Sequence, residues 1–304
     1  MRGAGGRYAR GRRAAYGLVG VVLALGGCTG PEPSAPGPSA QAHAEDGTPA
    51  TASGSRSTTV PIARSEGPAP LTGTDRPLRV VAFGDSVPSG SNCDCDPFPI
   101  LVARDLGART GRTSSAENLA FGGADSSDVL AQVNDPDVAT SLASADLVLI
   151  EIGANDFDES LAGDPECLDP PTASCHGAVL ADLRRTLTAT VRLVQEQQRP
   201  ADARVVLMGY WNVFRDGAVG RSRGATYVQG SAALTDAVND LVAEVARSTN
   251  TVYADTLAPF KGPDGRADAT FALAADGNHP NARGHELLAG AVSAALQAAG
   301  ALGP

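Results

Sequence analysis

Three stretches of this chain, Leu78 to Phe83, Asp146 to Ile152 and Arg204 to Met208, are runs of apolar and β-branched residues with no alternation of apolar and polar positions. A strand with one face in water alternates. A strand without alternation is covered on both faces, as in a parallel sheet enclosed by helices. Weaker strands are expected at Ala116 to Ala120 and Thr251 to Ala254. Between the runs, Leu180, Leu183, Leu187, Val191 and Val194 form one stripe at helical spacing, Leu234, Val238, Leu241 and Val245 a second, and Leu288, Val292 and Leu296 a third. Strand and helix in regular alternation imply a single doubly wound α/β domain over residues 77–304, three layers deep (α/β/α), with sites at the carboxyl ends of the strands.

The chain ahead of that domain is of two kinds. Residues 1–27 carry five arginines (Arg2, Arg7, Arg10, Arg12, Arg13), no acidic residue, and an apolar run from Ala14 to Gly27 that is too short to cross a bilayer comfortably. This reads as a signal peptide. The run ends in Leu25-Gly26-Gly27-Cys28, which resembles the bacterial lipobox and predicts lipidation of Cys28. The bland alternative is an ordinary secretory signal with an incidental cysteine. Arg12-Arg13 suggests twin-arginine export, but the rest of that motif is absent. Residues 28–76 are rich in Pro, Ser, Ala, Gly and Thr and read as a disordered tether spanning roughly 40 Å. The expected product is exported, and either lipid-anchored at the outer face of the cell membrane or secreted.

Charge narrows the partners. The chain has 24 basic and 34 acidic residues; removal of the five leader arginines leaves 19 against 34, a formal charge of −15. Such a body is repelled by nucleic acid and by anionic lipid, so no nucleic-acid partner is expected and membrane contact is expected only through the anchor. With Cys28 assigned to lipid, Cys93, Cys95, Cys167 and Cys175 read as disulfide partners in an oxidising compartment. A four-thiolate zinc site is the rival, but the spacing fits no common zinc motif. Neither a metal nor an organic cofactor is expected, and the protein is expected to be a monomer.

Three motifs fall at strand ends. Gly84-Asp85-Ser86 stops a buried strand and exposes a serine hydroxyl at the rim of the sheet, although the same tripeptide is also an ordinary helix cap. Gly153-Ala154-Asn155-Asp156 offers a side-chain amide that can donate to a developing oxyanion, or simply makes a turn. Asp276-Gly277-Asn278-His279-Pro280 places a carboxylate three residues ahead of a histidine, where it can fold back on imidazole Nδ1 and leave Nε2 free as a base. Of the other histidines, His43 lies in the tether, His176 adjoins Cys175 in an expected loop, and His285 is read as a surface or packing residue of the last helix.

These motifs, in this order, resemble the conserved blocks of the GDSL/SGNH hydrolases over Leu78 to Ala299, with Asn118 to Ala124 standing for the second block. The resemblance implies a flavodoxin-like fold and a serine ester hydrolase of esterase or lipase type. Ser86 would be the nucleophile, His279 the base and Asp276 its orienting group. The oxyanion would be held by the N–H groups of Ser86 and Gly123 and the side chain of Asn155. Ser86-Val87-Pro88 is unlike the Gly-x-Ser-x-Gly elbow of ordinary α/β-hydrolases, and Cys93 and Cys95 beside the nucleophile depart from the family pattern. The expected substrate is a soluble or surface ester of short or medium acyl chain. Rival classes are an acyltransferase on the same serine and a non-catalytic ligand-binding lipoprotein. Cys167 is expected to pair with Cys175 at the rim of the pocket, and Cys93 with Cys95 unless both stay reduced.

Overall fold

The computed structural model describes Leu71 and residues 75–168 and 175–302. The leader with Cys28, His43 and the prolines Pro170 and Pro171 lie outside the described residues. The first half of the domain runs β1 (Leu78–Gly84), α1 (Ser86–Ser89), α2 (Phe98–Thr110), β2 (Ser114–Asn118), α3 (Ser126–Val133), α4 (Ala139–Ser144) and β3 (Leu147–Glu151). The second runs α5 (Gly177–Gln197), β4 (Arg204–Met208), α6 (Gly217–Ser222), α7 (Ala225–Ser248), β5 (Val252–Ala254), α8 (Leu257–Lys261) and α9 (Ala282–Ala298).

Alternate residues of the central strands enter two separate cores. Val81, Phe83, Val148, Ile150, Val205 and Leu207 pack with α3, α4, α5 and α7. Val80, Ala82, Leu147, Leu149, Val206 and Met208 pack with α2, α8 and α9. This two-sided burial is why the runs do not alternate. The expected helical stripes supply the covers: Leu183, Leu187, Val191 and Val194 of α5 are buried, as are Leu234, Val238, Leu241 and Val245 of α7 and Leu288, Val292 and Leu296 of α9. Each such side chain contributes roughly 2 kcal/mol by leaving water.

All five strands are parallel, in the order β2-β1-β3-β4-β5. The chain leaves β1 toward one edge and then returns to lay β3 on its other side, so the strand order reverses between β1 and β3. A crevice opens at that switch point, outside the carboxyl ends of the two strands. The strongest strands fall where the sequence places them. The edge strand β2 begins two residues earlier than expected, at Ser114, and its residues alternate between half-buried and exposed. With a neighbour on one side only, it needs no continuous apolar run.

Two residues of the stretch read as tether take part in the folded body. Leu71 is fully buried, and its N–H donates to Ala301 O at 2.8 Å. Arg76 pairs with the buried Asp146, which also faces Arg112 and accepts the Arg79 N–H at 2.8 Å.

Candidate active site

The crevice is built from the connections that follow β1, β2, β3, β4 and β5. β1 ends at Gly84 with φ 145°, and a Cβ there would stand 2.1 Å from Glu151 O, so only glycine fits. Asp85 caps α1 by accepting the Val87 N–H at 2.9 Å and is itself buried. Ser86 opens α1 and is half-buried. The second connection crosses close above it: a Cβ on Gly122 would stand 3.9 Å from Ser86 Cβ, and Gly123 takes a left-handed φ of 83°. Asn118 ties the two together, donating to Pro88 O at 2.6 Å and accepting the Ala120 N–H at 3.3 Å. Neither the Ser86 N–H nor the Gly123 N–H has an acceptor among the described residues.

After β3, a 3₁₀ turn at Ala154–Asp156 carries the third motif. Asp156 accepts both the N–H and the hydroxyl of Ser126 at the start of α3, which fixes the turn. Asn155 spends one amide proton on Ala124 O at 2.8 Å and keeps the other.

The histidine arrives on a turn between β5 and α9. Asp276 Oδ1 accepts the N–H groups of Asn278 and His279 at 2.9 and 3.0 Å. Its Oδ2 accepts the His279 Nδ1 proton at 2.7 Å. Burial opposes ionisation of Asp276, but the hydrogen bonds from His279, Asn278 and Asn92 outweigh it and hold the carboxyl below the usual carboxylate range. A Cβ at Gly277 would meet Val219 at 2.5 Å, and its carbonyl accepts the Asp216 N–H at 2.8 Å, so the turn is braced by α6. The imidazole thus presents Nε2 as its free acceptor. Ser86 Oγ does not hydrogen-bond to it; such bonds commonly tighten only when substrate is bound.

A cavity of about 120 Å³ opens beside these parts, lined among others by Ser86, Asn155, Tyr210 and Asn278; His279 and Gly123 are not among its lining residues. Asp85, which lines it, belongs to a buried acidic cluster that sequence reasoning missed. Tyr210 donates to Asp85 Oδ2 at 2.7 Å. Burial raises Asp85 to about 6, against the bonds from Val87 and Tyr210. Glu151, the last residue of β3, is fully buried with neither carboxyl oxygen bonded; burial first, and Asp85 second, push it well above the ordinary range. One signal was available, a lone acid inside an otherwise apolar strand.

The remaining titratable and sulfur-bearing residues fall around this centre. His285 is buried in α9, stacks on Phe98 and accepts its N–H at 3.3 Å, the packing role expected of it. His176 lies in the expected loop beside Cys175, as the residue just before α5, and packs edge-on against Phe157. Cys93 pairs with Cys95 and Cys167 with Cys175, Cα separations 5.2 and 5.5 Å. Cys167 and Cys175 do not line the cavity, contrary to expectation; Phe157 and Glu159 of the same connection do. That connection is fastened to α7, where Gly230 leaves room for Ala162 O and Tyr227 donates to Glu159 at 2.7 Å.

A parallel, doubly wound sheet with a serine at its switch point and an Asp-His pair ahead of its last helix defines a hydrolase of the three-layer α/β class. Residues 82–287 match the GDSL-like lipase/acylhydrolase family, and the chain belongs to it, which makes it a carboxylic ester hydrolase. Among solved structures, it is similar to the lipase Lip_vut3 from a goat-rumen metagenome (TM-score 0.57, 20% identity, 72% of this chain and 97% of that one covered). It is also similar to a putative GDSL-like lipase from Parabacteroides merdae (0.51, 16%, 76% and 100%) and to a variant of the acetyl-xylooligosaccharide esterase Axe2 from Geobacillus (0.50, 21%, 72% and 94%). No curated protein matches the chain.

Proposed function

We propose that the protein is an exported, lipid-anchored serine esterase in which Ser86 is the nucleophile, His279 the general base and Asp276 the group that orients the base. The observation that carries this reading is the 2.7 Å bond from His279 Nδ1 to Asp276, which fixes the tautomer that leaves Nε2 free as a base. Ser86 Oγ attacks the ester carbonyl as Nε2 takes its proton; the same nitrogen returns that proton to the leaving alcohol, and water then hydrolyses the acyl-enzyme. The tetrahedral oxyanion is received by the Ser86 and Gly123 N–H groups, which have no competing acceptor among the described residues, and by the spare amide proton of Asn155.

The small cavity favours short acyl groups, such as acetyl on a glycan or small lipid ester, over packed phospholipid. The formal charge of −15 after loss of the leader also opposes approach to an anionic bilayer. Export and lipidation of Cys28 rest on the leader sequence. The deciding experiment is hydrolysis of an acyl-ester series by wild type and Ser86→Ala. Turnover of acetyl and butyryl esters, lost in the variant with unchanged circular dichroism, is expected. Retained turnover in the variant would remove Ser86 from the mechanism, and preference for palmitoyl esters on anionic vesicles would replace the substrate class.

A further inference from the structure

The segment that follows the nucleophile turn reaches across to the Asp-His pair. The Ser91 N–H and the Ser89 hydroxyl both donate to Ser86 O, at 3.0 and 2.8 Å, and the Cys93 N–H donates to Gly90 O at 3.2 Å. Residues 89–93 therefore wind back over α1. At the tip of this winding Asn92 adopts φ 57°, a left-handed conformation that asparagine tolerates better than most residues. Its Nδ2 hydrogen-bonds Asp276 Oδ2, across 184 residues of sequence, and lies 3.2 Å from His279 Nδ1.

The chemistry of that contact has one consistent assignment. His279 Nδ1 gives its proton to Asp276 Oδ2, so the ring nitrogen has no lone pair to offer Asn92. The amide therefore donates to the carboxylate, and the imidazole and the amide share one oxygen. With Asn278 and His279 N–H on the other oxygen, all four donors together stop the carboxylate from turning about its bond. The titratable groups around the pair come from other elements: Asp85 and His285 interact with His279, and Arg215 with Asp276.

The turn is anchored immediately beyond Asn92 by the Cys93–Cys95 link, and a ring nitrogen of His285 lies within 4.8 Å of both sulfurs. These three side chains are not suited to hold a cation even when reduced. His285 Nδ1 accepts the Phe98 N–H, which leaves the neutral ring's proton on Nε2 and no lone pair for a metal. The link and the histidine serve instead as footing for the turn.

We propose that Asn92 is a positioning residue for the Asp276–His279 pair, fixing the carboxylate by donating to the oxygen that accepts the imidazole proton. This rests on the reading of Ser86, His279 and Asp276 given above, and two variants separate the donor from the shape. Asn92→Gly keeps the left-handed backbone and removes the amide. Asn92→Asp keeps the shape but replaces the donor by a second carboxylate. On a soluble acetyl ester, kcat should fall by roughly tenfold or more in both, with little change in KM, and further in the aspartate variant. A second readout needs no turnover: the downfield proton resonance of His279 Nδ1–H, followed in Ser86→Ala protein, should broaden by exchange with water when Asn92→Gly is added. Wild-type kcat in either variant, or an unchanged resonance, overturns the proposal. If the native protein hydrolyses no ester while the resonance still broadens, the catalytic reading fails and the positioning contact stands.

Discussion

Tyr210 holds Asp85 from beneath: its phenol donates to the carboxylate at 2.7 Å, so the residue immediately before Ser86 is bonded to the connection that leaves β4. The same carboxylate caps α1 through the Val87 N–H. The position of Ser86 therefore depends on a buried polar cluster that also includes Glu151.

That cluster makes stability depend on pH in a specified direction. Glu151 has a folded pKa well above its ordinary value, chiefly through burial, so the folded state keeps a proton that the unfolded state releases above about pH 4.5. Its stabilising contribution is complete below that pH and is lost as pH rises toward the folded pKa. Glu151→Gln cannot titrate. In urea unfolding from pH 5 to pH 8, the variant should gain on wild type by up to about 1.4 kcal/mol per pH unit. A constant difference between the two proteins would show that Glu151 ionises normally.

Asp276→Asn preserves volume but lets the imidazole settle with its proton on the wrong nitrogen. A loss of kcat of about 10³-fold or more, with KM nearly unchanged, is expected in steady-state assays on a soluble ester. A loss below about tenfold would make the aspartate a structural residue of the turn.

Asn155→Ala removes both the proposed oxyanion donor and the bond to Ala124 O. The expected cost is about 3 kcal/mol in the barrier, or roughly 10²-fold in kcat. Asn155→Asp retains the size but turns the donor into an acceptor, and should be no better. Activity of the aspartate variant near wild type would exclude side-chain donation from position 155.

Cys167 and Cys175 close a short loop outside the cavity. Replacing both by serine should lower unfolding free energy by about 2.5 kcal/mol through the freed chain entropy, with kcat retained. Thermal melts paired with esterase assays test both halves, and a collapse of kcat at an unchanged melting temperature would contradict this assignment.

Much of this was legible because it is local. The Asp276–His279 bond closes over three residues, and continuous apolar runs marked β1, β3 and β4 as covered on both faces. Ser86 was legible because a buried strand halts at Gly84. The polar edge strand was placed imprecisely, since nothing in its side chains needs burial. Asn92 was not legible at all: its partner is 184 residues away, and only the winding of the Ser89–Cys93 turn brings them together. Tyr210 belongs to the same category, being joined to Asp85 across 125 residues.

The bond between Leu71 N–H and Ala301 O sets an orientation for the whole domain. α9 starts beside His279 and runs back along the sheet, so the residues just after it, at Ala301, meet Leu71 ahead of β1 at the strands' amino edge. Both of these chain segments therefore emerge at the pole opposite the crevice.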